Sequence, residues 1–213
     1  MRTSLVGRGM LAAVAGQRDI GELDERRLVT RARSGDRDAF DRLVERHLQQ
    51  VWRVVWRIVR HRQDTEDVVQ DVFLTAFSAL DEFRGEARLS TWLHRIAVTR
   101  ALNHVDRAAV KMERAARSLE TNDDDSPAGA PAWPATGGPT PLQQLEASEL
   151  KDRLARCLEL LPAAWRAILA LRDGESMPYQ RISETLGVAL GTVRSRLARA
   201  RLALRECLEG GAT

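Results

Sequence analysis

Between Leu190 and Arg205 the chain carries five arginines and no acidic residue. Val193 and Leu197 are spaced to be the buried face of a helix, which turns Thr192, Arg194, Ser195, Arg196 and Arg199 onto the opposite arc. Guanidinium forks and hydroxyls in that arrangement match the base edges and phosphates of a major groove. A second basic block runs from Arg84 to Arg117, with eight basic residues against three acidic ones, and from Ser118 to Asp152, between the two, seven acids face a single lysine, Lys151. Two basic blocks parted by an acidic one point to two nucleic-acid-facing surfaces on one chain. The alternative is an arginine-rich composition that merely coats solvated helix faces. A third cluster, Glu66, Asp67 and Asp71, could hold Mg²⁺ in a nuclease. Acids at a helix start are already accounted for by the dipole, and no base, nucleophile or further ligand converges on these three, so the nuclease reading is the weaker one. Four histidines and two cysteines, Cys157 and Cys207, offer neither CxxC nor metal-ligand spacing, so no metal site and no cofactor are expected. This cysteine usage fits a reducing cytoplasm, with Cys157 a packing residue on a leucine stripe.

Helices must position these groups. The chain has 213 residues, 44% apolar and 30% charged with a net charge of +3, which describes a soluble globular protein of one or two domains. No apolar run approaches the ~18 residues of a membrane span, so no stable membrane insertion is expected. Residues 1–24 read as a leader, and the weakly apolar Met10–Gly16 lacks a clear cleavage site. Apolar residues recur at helical spacing almost throughout, with no sustained alternation of strands, so the fold class is all-α. A short helix over Leu28–Ser34 ends at Gly35, and a long one follows from Asp38, widened by Trp52 and Trp56 as core residues. Asp64 is the expected N-cap of the next helix, which turns Val69, Phe73, Ala76, Phe77 and Leu80 inward and leaves Asp67, Gln70 and Asp71 on a polar face. Arg84 and Gly85 break it, and Ser90 is placed to cap a helix reaching about Val105. Five of the seven prolines fall in residues 119–141 without periodicity, a linker. Helical pattern resumes with Leu142, Leu145, Leu150, Leu154, Leu158 and Leu161 and continues to Asp173 and Gly174. Ser176 as cap, Pro178 in the first turn and Gly187 at the corner then define the first helix of a helix-turn-helix.

The segment GTVRSRLARAR after LG, preceded by ELLPAAWRAILALR, resembles region 4 of the bacterial sigma-70 family, in particular the extracytoplasmic-function (ECF) sigma factors. GDRDAFDRLVERH and DTEDVVQDVFLTAFSALDEFRGEARLSTWLHRIAVTRALNHV resemble region 2 of the same family. The resemblance implies a region 2 over 25–110, an acidic Pro/Gly-rich linker over 111–142 and a region 4 over 143–210. It implies that Asp67, Gln70, Asp71 and Phe73 meet the β′ clamp of core RNA polymerase, with the β flap as a second polymerase contact. It further implies that the loop and helix carrying Arg84, Arg88, Trp92, Arg95, Thr99, Arg100 and Asn103 open and read the −10 element. Trp92, beside Leu93 and Ile96, suits core packing better than base stacking. Arg181, Thr192, Arg194, Ser195, Arg196 and Arg199 would read the −35 element. Thr99 stands where many members have Asn, Asn103 where Asp is frequent, and Arg181 and Ser183 where Glu and Ala are usual. These departures bear on promoter identity. Glu120 and Asp123–Asp125 would suit a linker strand lying in a nucleic-acid channel, or a plain acidic tether.

The partners implied are core RNA polymerase, promoter DNA and an anti-sigma factor, and the location implied is the cytoplasm, including the inner membrane face if the anti-sigma factor is anchored there. The rival is an autonomous helix-turn-helix regulator binding duplex operator without polymerase. A receiver domain would bring alternating strands and helices, and the N-terminal half has no such pattern.

Overall fold

The computed structural model describes residues 24–117 and 141–210, with side chains over 24–112 and 149–210. The leader and most of the linker expected from the sequence lie outside the described residues. Among the described residues every regular element is helical.

Helix α1 spans residues 24–33 and buries Leu28, Val29 and Ala32. Gly35, at φ 91°, turns the chain left-handed, and Asp36 caps helix α2 (Arg37–Val59) by accepting from the Ala39 amide at 3.1 Å. The periodic set Ala39, Leu43, Val51, Val54, Val55 and Ile58 is buried. Arg60 ends the helix in a left-handed conformation, φ 68°, and its amide donates to the Trp56 carbonyl.

Helix α3 (Arg62–Ser78) is capped by His61, whose Nδ1 accepts from the Asp64 amide at 3.3 Å. The cap is therefore not Asp64, which sits inside the first turn and pairs with His61 and His104. Val68, Val69, Val72, Phe73 and Ala76 are buried, but Phe77, expected inward, is 48% exposed and stacks edge-on against Phe40. A 3₁₀ turn (Leu80–Glu82) and the left-handed Gly85 lead into helix α4 (Leu89–Arg117). This helix starts before Ser90, so Ser90 is no cap, and it extends a further three turns beyond Val105. Nothing between Val105 and Arg117 is a Gly or Pro, so the sequence contains no stop signal there.

Helix α5 (Pro141–Glu159) leaves Leu150 and Leu154 exposed, so the leucine stripe is only partly core. Pro162 opens helix α6 (Ala163–Leu169), which passes into a single wide π turn (Ala170–Gly174). Ser176, at φ 53°, lies in the connecting turn and caps nothing; Pro178 occupies the cap position of helix α7 (Tyr179–Leu186). Left-handed Gly187 makes the corner, and helix α8 (Leu190–Gly210) is the last described element. Cys157 of α5 and Cys207 of α8 form a disulfide, which corrects the reading of Cys157 as simple packing and of the cysteines as reduced thiols. Their fifty-residue separation hid the pairing, because only the antiparallel return of α8 along α5 brings them together.

The α1–α4 half and the α5–α8 half share one continuous apolar cluster, from Leu28 and Ala39 through Leu161, Ile168 and Leu171 to Val193 and Ala200. Polar contacts reinforce the junction. Arg166 is only 8% exposed; its Nε donates to the Ile58 carbonyl at the end of α2 at 2.8 Å, and its Nη1 donates to the carbonyls of Leu161 and Glu159. The Glu175 carboxylate accepts from Gln50 Nε2 at 2.9 Å and lies 3.5–3.6 Å from Arg57 and Arg53. Arg60 adds an ion pair to Glu159 at 3.5 Å.

Candidate nucleic-acid interface

Helix α8 is seated by Val193, Leu197 and Ala200, all fully buried against the preceding helices. That seating exposes Arg194, Ser195 and Arg199, with Thr192 and Arg196 half-buried at the rim, so the five residues expected to read DNA lie together on the first three turns. The corner before them is closed twice over. The Val188 amide donates to the Ser183 carbonyl at 3.1 Å, and the Ser183 hydroxyl donates back to the Val188 carbonyl at 2.6 Å. Ser183, noted from the sequence only as a departure from the family, is thus a side chain that ties the end of α7 to the turn before α8. Arg181, on the exposed side of α7, pairs with Glu184 at 3.1 Å. Arg201 continues the arginine series but is held by Asp173, whose carboxylate raises its pKa above the ordinary guanidinium range.

On α4, Leu93, His94, Ala97, Val98 and Ala101 face the core, and Arg95, Thr99 and Asn103 occupy the exposed side one or two turns apart. Thr99 returns its hydroxyl to the Arg95 carbonyl at 2.9 Å, and the Asn103 carbonyl accepts from Arg107. Arg84 and Arg88 are exposed before the helix, and Arg100 is half-buried at its flank. Trp92 is half-buried with its ring centroid 5.3 Å from Phe83, a packing partner in place of a free stacking face. Residues 82–87 with Thr91, Trp92 and Arg95 form one wall of a cleft of about 390 Å³, and Arg181, Glu184 and Thr185 of α7 form the other.

The third surface is an apolar groove of about 1210 Å³ between α2 and α3. Its walls include Trp52 and Trp56, half-buried groove residues and not the interior core expected of them, with Phe73, Leu74 and Phe77 from α3. Leu74 is 59% exposed. Gln70 and Glu66 edge the groove, whereas Asp67 and Asp71 are exposed on the flanking arc of α3, and Phe73 supports the wall from beneath. Sequence reasoning did not single out Leu74. Its signal was available as Gln70, Leu74 and Phe77, an exposed stripe at three- and four-residue spacing.

Burial acts on two of the junction's cations. It pulls the Arg57 guanidinium below its usual range, opposed by Glu175, and does the same at Arg166. Buried His94, with neither ring nitrogen hydrogen-bonded within the protein, is held below the ordinary imidazole range by desolvation. Among the described residues no group of three His, Cys, Asp or Glu side chains could hold a metal, and no helix is long and apolar enough to cross a membrane.

Two stretches match family models: residues 43–110 that for sigma-70 region 2, and residues 151–204 that for sigma-70 region 4. The RNA polymerase sigma-H factor of Pseudomonas aeruginosa is 33% identical over 192 residues, covering 87% of this chain and 94% of the relative. The ECF RNA polymerase sigma-E factor of Escherichia coli K12 is 34% identical over 183 residues, covering 86% and 93%. Among solved structures, CnrH in complex with the cytosolic domain of CnrY superposes with a TM-score of 0.57 at 26% identity, covering 88% of this chain and 98% of that one. The sigma factor RpoE of Bartonella quintana, solved with the anti-sigma factor NepR, shares the fold with a TM-score of 0.59 at 24% identity, covering 80% and 96%. The chain therefore belongs to the ECF sigma factors of the sigma-70 family, which act in transcription initiation.

Proposed function

We propose that this sigma factor is a dissociable promoter-specificity subunit that performs no chemistry itself, with three working surfaces. The first is the α2–α3 groove with its flank, where Asp67, Gln70 and Asp71 meet the β′ clamp of core RNA polymerase and Phe73 backs them. A second contact, to the β flap, would fall on the region 4 half. The next surface is the loop and exposed face of α4, where Arg84, Arg88, Arg95, Thr99, Arg100 and Asn103 track and read the opened −10 element; Trp92 supports that face through Phe83. The last is the first three turns of α8, where Thr192, Arg194, Ser195, Arg196 and Arg199 enter the −35 major groove and Arg181 contacts a phosphate beside it. Domain limits of 25–110 for region 2 and 143–210 for region 4 follow from this assignment.

The observation that carries the reading is the α8 surface, because buried Val193 and Leu197 turn its hydroxyls and acid-free set of arginines outward together. The relatives solved with CnrY and NepR support control by an anti-sigma factor, and an apolar groove with Leu74 and Phe77 exposed is chemistry such a partner could cover. Such control would place the protein in the cytoplasm or at the inner membrane face. The chain mixed with core polymerase should give promoter-dependent transcripts in vitro, and Leu74→Asp should reduce them by weakening core binding. A chain that never comigrates with core polymerase would overturn the reading.

A further inference from the structure

We propose that Glu184 is a specificity-determining residue for promoter binding: it holds Arg181 as an internal stand-in for a DNA phosphate, so that Arg181 adds affinity only where α8 is seated on its own sequence. The inference rests on the promoter reading above and adds a source of discrimination outside the base-reading arc. Six arginines fall between Ser176 and Arg205, and Glu184 is the one acidic side chain among them. In a helix-turn-helix the first helix crosses the phosphate backbone while the second enters the groove. A carboxylate on α7 therefore opposes binding to any duplex.

The surroundings of Glu184 show what it does there. Burial of Ile182 and Thr185, with Ser183 tied to Val188, leaves Gln180, Arg181 and Glu184 as the exposed side chains of α7. All three are joined. Arg181 Nη1 donates to one Glu184 oxygen at 3.1 Å, and Gln180 Nε2 donates to the other at 3.4 Å. The Arg181 and Glu184 side chains keep 52% and 50% of their surface in water, so a phosphate oxygen can displace the carboxylate at small cost. Non-specific binding comes almost wholly from cations that replace condensed counterions on the phosphates. Arg181 in its pair is part of a neutral unit and adds nothing net to that attraction. On the matched sequence the base contacts of α8 fix where α7 lies along the backbone. A phosphate then stands beside Arg181 and takes the place of Glu184. The pair thus lowers affinity at every wrong site and much less at the right one.

The test compares the full chain, its disulfide intact, with Glu184→Gln and with the double variant Arg181→Gln, Glu184→Gln. Helical circular dichroism equal to that of the parent confirms that each variant folds. The probes are the duplex that the parent enriches from a randomised pool and the unselected pool itself, each titrated at a series of salt concentrations. Glu184→Gln should bind the unselected pool several-fold tighter, and its slope of log affinity against log salt should steepen there by about 0.9, the value for one added cation. Its affinity for the enriched duplex should rise by at most about twofold, so that the preference for that duplex falls several-fold. The double variant, neutral again at this spot, should return the slope on the pool to that of the parent and bind the enriched duplex more weakly than the parent does. Equal tightening on both probes would overturn the proposal, since Glu184 would then be a uniform repulsion, and so would an unchanged slope in Glu184→Gln. A parent that enriches no duplex at all would refute the promoter reading and this inference with it.

Discussion

At the scale of single residues, the basic groups divide by what already holds them. Arg196 sits at the rim of the α8 surface, and its replacement by Ala should weaken −35 binding by about 1–3 kcal/mol with loss of preference at one base, read by titration of matched and mutated duplexes. Arg201 belongs to the same run in the sequence but is committed to Asp173, so Arg201→Ala should leave duplex affinity within twofold. Sequence spacing assigned Arg194, Ser195 and Arg199 to the exposed arc because burial of Val193 and Leu197 fixes the phase of a helix. It gave no sign of the Arg201 pairing, which depends on a residue 28 positions away. His94 supplies a prediction of another kind. Its buried ring is held neutral, with a folded pKa below that of the unfolded chain, so the unfolded chain binds the extra proton first. Its contribution is intact above the unfolded imidazole value near ~6.5 and is lost as pH falls toward the lowered folded value. Urea unfolding should show stability falling from pH 7 to 5, and His94→Leu should flatten that slope.

At the scale of elements, helix existence was readable and helix ends were not. The 3.6-residue recurrence of Val51, Val54, Val55 and Ile58 could only be a helix, whereas its neighbours' caps involved competition between adjacent polar side chains. His61 rather than Asp64 caps α3 because the helix already begins at Arg62, and the His61 ring, on an extended backbone at φ −121°, accepts from the Asp64 amide itself. Ser90 loses its expected role for a similar reason: Arg88 already offers its carbonyl to the Thr91 and Trp92 amides. The corner of the helix-turn-helix shows the converse, a residue whose weight exceeds its sequence signal. Ser183→Ala should cost about 1 kcal/mol of stability by leaving the Val188 carbonyl one donor short. It should also loosen the α7–α8 angle, lowering −35 affinity although the side chain touches no DNA. Comparison of thermal midpoint and duplex affinity with those of the parent checks both effects.

For the whole molecule, a pair of helical modules was legible from the two basic blocks and the proline-rich interval between them. Their mutual packing was not, because Arg166 and Glu175 look like ordinary surface charges in a chain with 30% charged residues. Only the fold reveals that each is sunk into the other half. The disulfide is the remaining global constraint, and its position matters more than its existence. Cys207 ties down the heel of α8, while the arginines proposed to read DNA occupy the toe some three turns away. Reduction, or Cys207→Ser, should therefore lower stability by about 2–4 kcal/mol while deuterium uptake rises first over 203–210 and last over 190–197. A rod anchored at its far end keeps its aim while its base frays, so promoter recognition should outlast the bridge by a measurable margin of denaturant.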